Sequence, residues 1–126
     1  MNGFLISTAD RPGLAAGLFE AAAARGVNVF PAYGLADGTN GIICVGSDDE
    51  AGLRQAIADA GLSATTVELM TTELENRPGT GAALFRRLAD AGVNLLVAVP
   101  VGMSADRVQL ALGATDTAAL RRALGS

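Results

Sequence analysis

The sequence predicts an α+β protein built from two βαββαβ repeats, with antiparallel sheets carrying their helices on one face and the second repeat lacking its last strand. Three observations predict it. Residues 10–29 match residues 76–95 at ten of twenty positions, including Arg-Pro-Gly, Leu-Phe and Gly-Val-Asn. Gly46 and Leu53 then align with Gly113 and Leu120 after a slip of one residue. Within each repeat the apolar period switches between two and about 3.6, as it does where strands alternate with helices. The repeats are assigned to residues 1–68 and 69–126.

The elements of the first repeat follow in order. Phe4, Ile6 and Thr8 alternate with Leu5 and Ser7, which predicts a strand. Pro12 suits the first turn of a helix, where its missing N–H loses no bond. Arg11, preceding a proline, is biased away from helical angles and marks the boundary. Leu14, Leu18 and Ala22 have helical spacing, and Gly26 is the expected left-handed stop. Residues 27–35 read as a strand, 37–41 as a turn and 42–45 as the return strand of a hairpin. Ser47 and Glu50 form a capping box for a second helix ending at Gly61. A strand over residues 65–70 completes the unit.

The second repeat reads alike: a strand at 70–74, a helix over 78–91, and a strand from Val93. A return strand follows in which Val108, Leu110 and Leu112 alternate with Arg107, Gln109 and Ala111, and then a helix over 116–124. No residues are left for a final strand. Either the second sheet has three strands, or a partner chain fills the gap. Unpaired sheet edges invite association, so a homo-oligomer, a dimer, is expected.

Composition limits the chemistry. Half of the 126 residues are apolar and 17 % are charged, with a mean hydropathy of +0.37. Apolar surface on that scale offsets backbone ordering, so the chain folds. All nine basic residues are Arg, against thirteen Asp and Glu, for a net charge of −4. No basic stripe is visible for nucleic acid. There is no His and no Lys, which removes imidazole bases, Ser-His-Asp arrangements, Schiff bases and a P-loop lysine. Asp48 and Asp49 are neighbours in a first helical turn, where adjacent side chains do not face each other. Cys44, the single cysteine, lies in an apolar run and reads as a reduced core thiol. No apolar run approaches the ~20 residues that span a bilayer. The reading is a cytoplasmic protein with no enzymatic activity, no metal, no cofactor, and no membrane or nucleic-acid partner.

The strand-to-helix corner carries the best binding chemistry, and it occurs twice. Helix starts expose unpaired N–H groups and the positive end of the macrodipole, which suits a carboxylate. Gly13, Leu14, Gly79 and Thr80 offer backbone groups there. Asp10 suits an ammonium group, and its counterpart Asn76 is neutral, so the corners differ. Asn28 and Asn94 follow the first helices, and their amides both donate and accept. Each of these features also has a purely local account as a helix start or stop.

Asp10-Arg11-Pro12-Gly13 with Gly26-Val27-Asn28-Val29, and Asn76-Arg77-Pro78-Gly79 with Gly92-Val93-Asn94-Leu95, resemble the signature of ACT domains, one in each half of the chain. The resemblance implies a ferredoxin-like fold, side-by-side pairing of sheets, and a regulatory protein binding a small metabolite, commonly an amino acid. It implies a site near the corner drawn from Asp10, Arg11, Gly13, Leu14, Asn28, Asn76, Arg77, Gly79, Thr80 and Asn94. ACT units usually accompany a catalytic or DNA-binding domain, and the sequence shows neither. The competing reading is a regulatory subunit or interaction module that docks on a metabolic enzyme and has no ligand of its own.

Overall fold

The computed structural model describes residues 1–9 and 11–125. The chain divides into two compact units, Met1–Thr66 and Val67–Ser126.

The first unit contains β1 (Asn2–Ala9), α1 (Leu14–Ala24), β2 (Ala32–Ala36), β3 (Asn40–Gly46) and α2 (Glu50–Asp59). Strand β4 (Thr65–Glu68) completes a four-stranded sheet of order β2-β3-β1-β4. Alternation on β1 does what its period demands. Phe4 and Ile6 are 1 % exposed, pair opposite Val45 and Ile43, and pack with Leu18, Ala22, Leu53 and Ile57. The stripe on α1 is the predicted one: Leu14, Leu18 and Ala22 are its buried residues. Arg25 and Asp59 close the ends of the two helices with an ion pair of 2.6 Å.

The second unit contains β5 (Met70–Glu75), α3 (Thr80–Asp90), β6 (Leu95–Met103), β7 (Arg107–Ala114) and α4 (Thr117–Leu124). Its sheet has three strands, ordered β5-β7-β6. Leu84, Leu88, Leu112 and Leu120 form the core. The register repeats with the sequence. Phe4 pairs with Val45 and Ser7 with Ile42; Met70 pairs with Leu112 and Glu73 with Gln109. The repeat in the sequence is therefore a repeat in the hydrogen-bonded ladder, and the one-residue slip lies within β6, at the register shift between Pro100 and Gly102.

Helices α1, α2 and α3 end identically. Gly26, Gly61 and Gly92 have φ of 69°, 74° and 72°. The following Val27, Leu62 and Val93 donate back to Ala22, Ile57 and Leu88 at 2.9, 3.0 and 2.9 Å. This double closure satisfies carbonyls that the helix would otherwise leave free, and only glycine takes the left-handed angle without strain.

Four expectations are corrected. Pro12 and Pro78 lie ahead of the helices, because Gly13 and Gly79 are the caps and α1 and α3 begin one residue later. Residues 27–31 are not strand. The chain first meets β3 where Phe30 donates to Gly46 and the Pro31 carbonyl accepts from Gly46, both at 2.9 Å, and proline has no N–H for a ladder. The turn is shorter than 37–41, since Asn40 and Gly41 already belong to β3. Finally, the Ser47/Glu50 box does not form. Ser47 is buried and donates to the Asn28 carbonyl at 2.6 Å, while the Glu50 carboxylate accepts from the Asn2 backbone at 2.8 Å. Asp49 caps α2 instead, accepting from Gly52 N–H at 2.9 Å.

Because Leu18 is fully buried in the first core, Leu18→Ala is expected to destabilise the protein by about 2–5 kcal/mol. Gly26→Ala, which forces a Cβ into the left-handed region, is expected to cost about 1–2 kcal/mol. Urea unfolding of both variants checks the two values.

Candidate functional site

The corner is built from the connection between the first strand and first helix of each unit. Asp10 lies outside the described residues. Gly13 has φ 85° and ψ −4°, and Gly79 has φ 93° and ψ −18°. In both places the positive φ favours glycine, and a side-chain oxygen caps a helix from an extended backbone, which these angles do not provide. Neither α1 nor α3 has a side-chain cap or an acidic residue in its first turn. The second helix of each unit is the contrast. Asp49 caps α2, and Asp116 caps α4 by accepting from Ala119 N–H at 3.0 Å. Within each unit one helix start is thus closed by a carboxylate and the other is left for solvent or a ligand.

A hollow opens beside each uncapped start. In the first unit it measures about 340 Å³ and is lined by Arg11, Gly13 and Leu14 on one side and by Leu35, Ile42 and Ile43 on the other. In the second it measures about 260 Å³ and is lined by Asn76, Arg77 and Thr80 against Phe85, Val108 and Leu110. The repeat places Arg11 with Arg77, Leu14 with Thr80, and Ile43 with Leu110. The same concavity is therefore formed twice, apolar on the sheet side and with an arginine at its rim, which in the second unit is paired with Glu75. Gly79 borders a further hollow of the second unit, about 560 Å³, with Glu73, Arg77, Arg87 and Arg107.

Hydrogen bonds hold the second corner together. Asn76 donates from its backbone to Asp106 at 2.7 Å and from its side-chain amide to Ser104 at 2.9 Å, tying the β6–β7 turn to the corner. Thr80 Oγ1 donates to the Glu75 carbonyl at 2.8 Å. Arg77 bonds the Glu75 carboxylate, which holds that carboxyl below its ordinary range. Arg107 reaches Glu73 at 2.9 Å.

Asn28 and Asn94 are exposed and follow the C-terminal ends of α1 and α3. Their carbonyls are engaged by Ser47 Oγ at 2.6 Å and by Thr115 N–H at 3.1 Å, each from the segment ahead of the second helix. An eleven-residue helix is about 16 Å long. Within one unit the structure therefore separates these asparagines from the Pro-Gly corner, and one amino acid does not span the two. The remaining predicted residues, Arg11, Gly13, Leu14, Asn76, Arg77, Gly79 and Thr80, all line the hollows. The 560 Å³ hollow also takes in Glu73, Glu75, Arg87 and Arg107, which the sequence reading did not place at the corner; a comparison of charge between the aligned repeats singles them out. Burial pushes the Cys44 thiol up, which suppresses the thiolate. Among the described residues there is no cluster of three or more metal-ligating side chains, and no helix is long and apolar enough to cross a membrane.

No protein-family model and no curated protein matches the chain. Solved structures do. Protein BT0572 from Bacteroides thetaiotaomicron is similar with a TM-score of 0.79 and 15 % identity, over 98 % of this chain and 85 % of that one. The regulatory subunit of aspartate kinase from Thermus flavus is similar with a TM-score of 0.65 and 23 % identity, over 98 % and 88 %. The aspartate kinase of Clostridium acetobutylicum, an allosteric enzyme, is similar with a TM-score of 0.67 and 14 % identity; the match covers 98 % of this chain and 31 % of that one. The fold is ACT-like. Its two units are the ferredoxin-like α+β arrangement, antiparallel sheets with helices, that these structures share.

Among the described residues, three carboxyls are held below their ordinary values: Asp37 by the N–H groups of Asn40 and Thr39, Asp59 by Arg25, and Glu75 by Arg77. A lowered folded-state value means that the unfolded chain binds protons more readily. The associated stability is present above about pH 4 and is lost as pH falls through the folded-state values. The thermal midpoint is expected to drop progressively below pH 4, and Arg77→Met to make the drop shallower, as scanning calorimetry from pH 6 to pH 2 reads directly.

Proposed function

We propose that this ACT-like chain is a non-catalytic regulatory protein that binds an α-amino acid at its strand-to-helix corners. One observation carries the reading. The two helix starts that adjoin hollows, at Gly13 and Gly79, are the two without a capping carboxylate, whereas Asp49 and Asp116 cap the other two. A ligand carboxylate fits the role that the missing side chain leaves open, and Arg11, or the terminal nitrogens of Arg77 that its bond to Glu75 does not use, offers it a guanidinium partner. The fold likeness to regulatory subunits of aspartate kinase supports the same class of function.

Thermal unfolding across a panel of amino acids at millimolar concentration tests it. A ligand at a hundred times its Kd adds about 2.7 kcal/mol, which moves the midpoint by several degrees. The shift is expected to shrink in Arg11→Ala or Arg77→Ala. Asn28→Ala and Asn94→Ala, at the other helix ends, report whether those amides take part. No shift with any amino acid would overturn the reading.

The second reading, docking on a metabolic enzyme without a ligand, is favoured by Leu35 and Ile42, large apolar residues that are 83 % and 54 % exposed. Co-purification with a larger enzyme and an absent ligand response would select it. The chain is further proposed to pair with a second copy through its open sheet edges, β2 in the first sheet and β5 or β6 in the second. Sedimentation velocity is expected to give a dimer at micromolar concentration; a monomer would remove this part.

A further inference from the structure

The internal repeat provides its own control. Cross-strand register sets Ser7 and Ile42 in the place of Glu73 and Gln109, and Ala9 and Asn40 in the place of Glu75 and Arg107. The helices align Ala21 with Arg87. Where the first unit has Ser7, Ala9, Ala21 and Asn40, the second thus has Glu73, Glu75, Arg87 and Arg107. All four line a single hollow of about 560 Å³, together with Arg77.

Ion pairing alone does not explain this convergence. The Glu73–Arg107 and Glu75–Arg77 pairs are about half exposed or more, and such pairs contribute little stability. Each is made through the guanidinium Nε, so the terminal nitrogens of Arg77 and Arg107 are not taken up by these bonds. Arg87 makes no ion pair among the described residues; its neighbour Arg86 is the one that reaches Asp90, at 3.7 Å. Three guanidinium groups and two carboxylates leave the hollow with a local charge of +1.

We propose that the second-unit corner selects an α-amino acid whose side chain carries a second negative charge. The inference rests on the amino-acid reading above and names the ligand class for one of its two corners. Such a ligand has a net charge of −1, complementary to the hollow. Its ammonium group faces Glu73 and Glu75, and its side-chain carboxylate faces Arg87 and Arg107. Planar guanidinium forks suit a carboxylate, which they bind with two parallel bonds. The first unit, with Ser7, Ala9, Ala21 and Asn40 at the matching positions, has no counterpart for that second charge.

Isothermal titration of the full chain with L-glutamate and L-aspartate, against L-glutamine, L-asparagine, L-leucine and L-threonine, decides the matter. The acidic amino acids are expected to bind at least about tenfold more tightly than their amides, with an affinity that weakens as salt is raised. Arg87 is exposed, so Arg87→Gln is expected to keep the unliganded melting midpoint while raising the Kd for L-glutamate about tenfold; Arg107→Gln is an independent second variant. Amides that bind as well as the acids, or unchanged L-glutamate affinity in both variants, would overturn the proposal while leaving the corner reading intact. If no amino acid binds at all, both fall together.

Discussion

A glycine held at positive φ directly ahead of the first helix is the constraint on which both corners depend. At Gly13 and Gly79 the chain must turn from a strand into a helix within a few residues, and the left-handed region allows it. The Ser, Thr, Asp and Asn residues that normally close a helix start with their own oxygen do so from an extended backbone, which this region does not provide. The geometry that makes the turn possible therefore also leaves the first-turn amides open. The second helix of each unit, entered in an extended conformation at Asp116 and through Asp49 in the first unit, has no such restriction and is closed by its own carboxylate.

Around this shared backbone the two units have diverged in chemistry and not in frame. The ladders keep the same register, the core leucines Leu53 and Leu120 occupy equivalent buried places, and three helices end in the same glycine closure. What differs is the surface of the corner. The hollow beside each helix start keeps its apolar wall, Ile42 and Ile43 in one unit and Val108 and Leu110 in the other. Ser7, Ala9, Ala21 and Asn40 of the first unit give way to Glu73, Glu75, Arg87 and Arg107 in the second. A fold with its stability in the helix–sheet core tolerates such change, because exposed substitutions on a fixed scaffold shift stability little. Binding properties can then separate between two copies whose architecture stays the same.

Much of the fold was legible because it rests on local rules. Alternation placed Phe4 and Ile6 on the buried face, helical spacing placed Leu14, Leu18 and Ala22, and the glycine stops fell where positive φ occurs. The failures were also local in form but tertiary in cause. Ser47 and Glu50 satisfy the pattern of a capping box, yet each is drawn to a partner far away in sequence, the Asn28 carbonyl and the Asn2 backbone. Residues 27–31 carry strand-forming side chains, but Pro31 and the late meeting with β3 keep them out of the ladder. Of the corner itself, Arg11, Gly13, Leu14, Asn76, Arg77, Gly79 and Thr80 were readable from the motif.

The sequence by itself determined the repeat, the order of elements and the exclusion of imidazole and lysine chemistry, since each follows from residue type and spacing along the chain. Only the tertiary structure decided which of these residues share a hollow. It separated Asn28 and Asn94 from the corner by the length of a helix, and it brought Glu73, Glu75, Arg87 and Arg107 together from two strands and a helix. The physical reason is that a site is a matter of proximity across elements. Cross-strand register and helix rotation set that proximity, and neither is written at any single position of the chain.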